Sequence, residues 1–189
     1  MNSGILIAMS LPKPVEALWT ELQSVRAEIL REAEGLSQAQ ADWRPGEKDW
    51  SVGEVVDHLI LAEVATGKLT TKLAREAPAA GAAGGFPADL TAFKPFPASP
   101  PGDAEAPEVV WPARGKPFAE LLATMRATRE RSRQSIEKLA ALDPRPLTFK
   151  HFRFGDLDLA QWWQLQAHHD GIHLAQIREI KGAAGFPRA

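Results

Sequence analysis

Residues 158–182 read DLAQWWQLQAHHDGIHLAQIREIKG. Asp158 followed three residues later by Gln161 is a capping-box pattern, which satisfies free amide donors at a helix start. Gly182 stands where the helix should end. At 100° per residue, Trp162, Leu165, Gln166, His169, Ile172, His173, Gln176 and Ile180 share one face. The stretch is predicted as an amphipathic helix over residues 159–181. His169 and His173 lie about one turn apart, so both imidazoles can reach one point beside the helix. That spacing is a common way to hold a divalent ion. It equally suits two satisfied or exposed helix histidines, so the pair alone leaves both readings open.

Working outward, three further helices are predicted. The first covers residues 15–34, with Pro14 in its first turn and Gly35 at its end. Its stripe is Leu18, Leu22, Val25, Ile29 and Ala33. A short turn or helix follows at 37–43, broken by RPGEKD. The second helix covers 51–77 and opens on a capping box, Ser51 with Glu54. Ser51, Val55, His58, Ala62, Ala65 and Leu69 share its face. The third covers 117–140, with Phe118, Leu121, Leu122, Met125, Thr128, Ile136 and Leu139 as its stripe. Its run RATRERSR reads as a solvated face. FKHFRFGDL, 149–157, reads as an extended or turn segment, and no strong strand signal appears.

Residues 78–116 differ from the rest. They hold most of the prolines and a GAAGG stretch, with no sustained periodicity. A segment of this length can be a partly ordered crossover that lets two consecutive helices run parallel, or a cover over one end of a bundle. Neither half of the chain could hold a complete core alone, so residues 1–189 are expected to form one all-α domain.

His58 is the only histidine before residue 151, and a buried imidazole needs a partner. If the second and fourth helices are neighbours, His58 can face His169 and His173. Three neutral imidazoles leave metal positions open for water or substrate, as catalytic sites do. Gln176 lies one turn beyond His173, where it could bond a ligand or substrate, or bridge two helices. Glu54 could orient His58, although its capping role is the simpler account. Glu54 and Gln176 are the candidate catalytic groups. His168 points about 100° from His169. His151 stands in a loop, and Asp170 points away from the candidate metal face. Trp43, Trp50 and Trp162 could line a pocket, but large aromatics at helix starts more often anchor a core.

The whole-chain numbers set bounds on function. Of 189 residues, 44% are hydrophobic and 24% charged, and the net charge is −2. No basic excess invites nucleic acid or anionic membrane. Arg126, Arg129, Arg131 and Arg133 spread around their helix rather than lining a stripe. There is no cysteine, so a metal site must use His, Asp, Glu or water, which suits zinc, nickel, iron or manganese. The apolar run Ile5–Met9 is too short for a secretory signal and lacks a basic flank. No apolar run reaches transmembrane length. A cytoplasmic location is the expectation.

Two blocks together resemble the DinB/YfiT-like superfamily. DWRPGEKDWSVGEVVDHLILAE is similar to its second-helix signature, a Trp-Ser start followed by a histidine and leucine. FRFGDLDLAQWWQLQAHHDGIHLAQIREI resembles its last helix, with His-x-x-x-His-x-x-Gln-Ile. The resemblance implies an up-down-down-up four-helix bundle with a long crossover between helices two and three. It implies a metal, nickel or zinc, held by His58, His169 and His173, and a homodimer. The activity it implies is transfer of a small-molecule thiol to an electrophilic substrate, or a related hydrolysis. The alternative is a non-catalytic, metal-stabilised binding module.

Overall fold

Each long helix begins where its own sequence provides for the free amide donors. The computed structural model describes residues 10–88, 96–98, 100 and 105–188. Helices α1 (Lys13–Ala33) and α4 (Phe118–Ala140) start behind Pro12 and Pro117, residues with no amide hydrogen to lose. Helices α3 (Val52–Glu76) and α5 (Leu159–Gly182) start on the two expected capping boxes, Ser51 with Glu54 and Asp158 with Gln161. The short helix α2 (Gln38–Asp42) carries a third box, Ser37 with Gln40. Gly35 leaves α1 at φ +83°, a backbone conformation that costs glycine little.

The side-chain pairs between helices give the topology. Arg178 and Lys181 at the end of α5 bond Glu28 and Glu32 at the end of α1, so these two run parallel. Lys138 near the end of α4 reaches Thr71 near the end of α3, so this pair is parallel too. Trp163 at the start of α5 bonds Thr70 late in α3, so α3 and α5 are antiparallel. The result is the expected up-down-down-up four-helix bundle. The segment from 78 to 116 is the long crossover between α3 and α4. Its middle, like the Ile5–Met9 run, lies outside the described residues.

The core has two apolar halves with a charged layer between them. One half gathers Ile29, Val52, Val56, Leu59, Phe118, Leu121, Met125 and Ile177. The other gathers Val15, Leu18, Leu22, Leu73, Ile136, Leu139, Leu159 and Trp163. On every long helix one buried charged residue separates the two: Arg26, Glu63, Arg129 and Asp170. Arg129 bonds Glu63 through Nε at 2.7 Å and Asp170 through Nη2 at 2.9 Å. Arg26 Nη2 lies 2.8 Å from Asp170 and 2.9 Å from Glu63. Arg129 also donates to the Leu22 carbonyl. Burial works to raise the Asp170 carboxyl, and the Arg26 and Arg129 guanidiniums overcome it and hold the group below its ordinary value.

Several sequence expectations are corrected here. The RATRERSR run is not wholly solvated, because Arg129 is buried in the charged layer. Trp163, not Trp162, is fully buried, and Ile172 is exposed, so the packing face of α5 is rotated from the expected one. On α3, Ala62, Ala65 and Leu69 are only half-buried, and the buried line continues through Glu63, Thr66, Thr70 and Leu73. Residues 148–158 form a small hairpin, β1 (Thr148–His151) antiparallel to β2 (Gly155–Asp158). It delivers the chain to Asp158, the cap of α5. No helix among the described residues is long and apolar enough to cross a membrane.

Candidate metal centre

The antiparallel pairing of α3 with α5 sets the early turns of α3 beside the later turns of α5. His58 therefore meets His169 and His173. His58 Nε2 lies 3.0 Å from His169 Nε2, and His173 Nε2 lies 3.1 Å from the same atom. All three ligand-capable atoms fall within 4.8 Å of one another, the only such group of His, Asp or Glu among the described residues. An ion at the usual imidazole distance of about 2.0–2.1 Å places such nitrogens roughly 3.3 Å apart, so the spacing suits one ion.

The far nitrogens decide what the near ones offer. His58 Nδ1 is 2.8 Å from the Val110 carbonyl oxygen. That oxygen can only accept, so Nδ1 carries the hydrogen and Nε2 of the neutral ring is a bare lone pair. His173 Nδ1 is 2.6 Å from Gln176 Oε1, and the same logic leaves its Nε2 bare. Both lone pairs face His169 Nε2, which can donate at most one hydrogen. Protons alone cannot satisfy three converging nitrogens, whereas one cation satisfies all of them.

The electrostatics keep the rings neutral, as ligation requires. Burial pushes His58 down to about 4, with the Val110 carbonyl opposing it. Burial pushes His169 down to about 3, and His173 and His58 add to the shift. His173 is lowered by burial as well, against the bond it donates to Gln176.

Two segments outside the bundle complete the surroundings. Trp50 lies 4.9 Å from the His58 ring and stacks at 6.2 Å on His173, and Trp111 meets Trp50 edge-on at 5.7 Å. The crossover returns here as a single 3-10 turn, Glu108–Val110, which presents the carbonyl to His58. Asp57 holds the chain just beyond it, accepting from the Ala113 amide at 2.9 Å and from Lys116 Nζ at 2.8 Å. The crossover thus braces this end of the bundle.

The remaining candidates fall into place around the cluster. Gln176 steadies His173 and, among the described residues, bridges no helices. Glu54 sits in its capping box, with Oε2 accepting from the Ser51 amide at 2.9 Å and Oε1 paired with Arg44. Among the described residues no hydrogen bond joins it to an imidazole. His168 is exposed and packs against Phe96. His151 accepts from the Arg153 and Phe154 amides at the hairpin turn. Trp43 packs on Phe186, and Trp162 bonds the Phe149 carbonyl. Sequence reasoning missed Val110, because a backbone carbonyl leaves no signature in residue types. It treated Trp50 as a core anchor, whereas the ring also walls the imidazoles.

Comparison with known proteins bears on the family and the fold. The family model described as DinB superfamily matches residues 21–177. The chain is 26% identical over 161 residues to a protein described as uncharacterized protein YuaE, from Bacillus subtilis (strain 168). That alignment covers 82% of this chain and 92% of YuaE. Among solved structures it is similar to TT2238, described as a four-helix bundle protein, with a TM-score of 0.54 and 21% identity. That match covers 87% of this chain and 98% of TT2238.

Proposed function

We propose, from the premise that this chain belongs to the DinB superfamily, that it is a metal-dependent enzyme. His58, His169 and His173 hold one divalent ion, nickel or zinc, and the reaction transfers a low-molecular-weight thiol to an electrophile. The observation that carries this reading is the convergence of three imidazole nitrogens whose lone pairs no hydrogen can satisfy together. When bound, the ion would acidify a thiol or a water at a position that three protein ligands leave open. The residues of the chain hold that arrangement. The Val110 carbonyl and Gln176 orient two of the rings, and Trp50 shields one side from water.

Thiol transfer is preferred to hydrolysis because of Glu54. Water attack usually draws on a nearby carboxylate base. The two oxygens of Glu54 are engaged by Ser51 and Arg44. A thiol that enters as thiolate needs no base. Its sulfur forms the new bond to the electrophilic carbon, the leaving group departs with the electron pair of the broken bond, and the thiol proton goes to solvent. The proposed partners are a small-molecule thiol, an electrophilic substrate and a second copy of the chain.

The test combines elemental analysis of the purified protein with assays of glutathione, bacillithiol and mycothiol against a generic electrophile. One equivalent of nickel or zinc, lost in His58→Ala together with thiol turnover, is the expected result. Protein free of metal, with His58→Ala binding added ions as well as wild type, overturns the metal centre. Metal present in a sphere closed by protein groups replaces the enzyme by a metal-stapled binding module.

A further inference from the structure

The parallel seam between α3 and α4 changes character along its length. At one end Val56, Leu59, Ile60, Phe118, Leu121 and Met125 close it with apolar side chains. Beyond the charged layer the facing positions become Gly67, Ser132 and Ser135, and a cleft of about 610 Å³ opens between the helices. That volume lies within the range of about 300–1,000 Å³ usual for small-molecule sites. The cleft belongs to the α3–α4 seam, whereas the imidazoles lie between α3 and α5.

The charged residues that line it are mainly basic. Ser135 is 7% exposed and lines the cleft opposite Gly67, with Oγ 3.5 Å from where a Cβ on that glycine would sit. Among the described residues no hydrogen bond engages this hydroxyl, which opens into the cleft and is free to donate to a ligand there. Lys68, Lys72, Arg75 and Arg131 surround the opening. Among the described residues the side chains of Lys68 and Arg75 have no ion pair or hydrogen bond. Two carboxylates line the same space. Glu63 is already neutralised by Arg26 and Arg129, and Glu76 is exposed at the rim.

We propose that this cleft is a second binding site, for a small molecule carrying two or more phosphate or carboxylate groups. The Ser135 hydroxyl donates to one anionic group at the floor, and Lys68 and Arg75, two turns apart on α3, pair with another at the mouth. Gly67 keeps the path between them clear.

The test uses the full chain stripped of metal with a chelator and then dialysed, so that the imidazole centre contributes nothing. Pyrophosphate and citrate are titrated by calorimetry at constant ionic strength, since bulk salt alone weakens exposed pairs. Saturable binding of either probe at one site is expected, weakened at least about tenfold in a Lys68→Ala/Arg75→Ala variant. Gly67→Leu, which fills the cleft, should abolish binding while circular dichroism and the unliganded melting temperature stay near wild type. Should Gly67→Leu fail to fold, Ser135→Ala takes its place, with weakened binding expected. Binding that is absent, or equal in wild type and every folded variant, overturns the proposal and leaves the cleft a solvated seam.

Discussion

The bundle holds two polar centres within a few turns of each other, and they are built on opposite plans. The charged layer takes two arginines and two carboxylates, one from each long helix. Each charge in it meets an opposite one. The imidazole cluster takes three like groups from two helices and points their acceptors at one another. All four charges of the layer are paired within the protein, with only Arg26 Nη1 left without a hydrogen-bond partner among the described residues, whereas the three imidazole nitrogens converge on a point that one ion would fit. Opposite charges that pair with one another signal structure, and several acceptors aimed at one point signal a ligand site.

The largest expected effect falls on the closed centre. Asp170→Ala leaves Arg26 and Arg129 short of a carboxylate in the core. Removing one partner of a buried charge network costs about 3–5 kcal/mol. A urea melt of the metal-free chain should register a loss of that order. A melt within about 1 kcal/mol of wild type, the size of an ordinary substitution, would break the comparison, because the layer would then be no more closed than the cluster.

Acidification should separate the two centres next. In the fold His58 titrates near 4 and His169 near 3, against 6.5 for the free side chain. The unfolded chain therefore binds protons that the folded one refuses, and stability falls as pH drops from about 6.5 toward 4. Each of these histidines contributes a slope of up to about 1.4 kcal/mol per pH unit. Asp170 is lowered rather than raised relative to 3.8. Its stabilisation is fully present above that value and is lost only as pH falls further. Urea melts of metal-free protein between pH 7 and 4 should show this loss, and a His58→Gln/His169→Gln variant should reduce it, leaving the share of His173 and His151, which burial also lowers. An equally steep slope in the variant would assign the acid sensitivity elsewhere.

His169→Ala reverses the pattern of Asp170→Ala. The central imidazole is removed, and with it the crowding of acceptors. Metal-free stability should change by no more than about 1 kcal/mol. Divalent ion affinity should fall by more than about 100-fold, since losing a ligand exceeds losing its support. Competition with a chromophoric chelator measures it. Unchanged affinity would remove His169 from the centre.

The open centre was the more legible of the two in sequence, and the reason is physical. Histidines at i and i+4 share a helix face wherever the helix packs, and capping boxes mark where helices start. His58, His169, His173 and the ends of α3 and α5 follow from such local rules. The charged layer does not. Arg26, Glu63, Arg129 and Asp170 each sit in step with a buried line, as in Leu22–Arg26–Ile29 and Met125–Arg129–Ser132. A lone charge in that position reads as an edge of the solvated face, and only its complements on the other helices reveal that it is buried. The same missing information rotated α5 by one residue, exchanging Trp162 for Trp163. The hairpin of 148–158 was too short for alternation to declare it.

Two glutamines on α5 give the finest test of the comparison, because each serves one centre. Gln166 donates to Asp170 Oδ1 at 2.9 Å inside the charged layer, and Gln176 accepts from His173 at 2.6 Å beside the cluster. Gln166 is 3% exposed. Replacing it with leucine leaves Asp170 Oδ1 without that donor, at a cost of about 1–3 kcal/mol, and should not alter ion affinity. Gln176→Leu should do the reverse. The half-exposed position tolerates leucine, but His173 loses the partner that fixes its tautomer, and ion affinity should fall about 10–100-fold. Gln176→Glu should restore that affinity, since a carboxylate accepts the same Nδ1 hydrogen more strongly. If Gln176→Leu lowered the melting temperature and left affinity intact, Gln176 would belong to the scaffold, and the line between the two centres would have to be redrawn through His173.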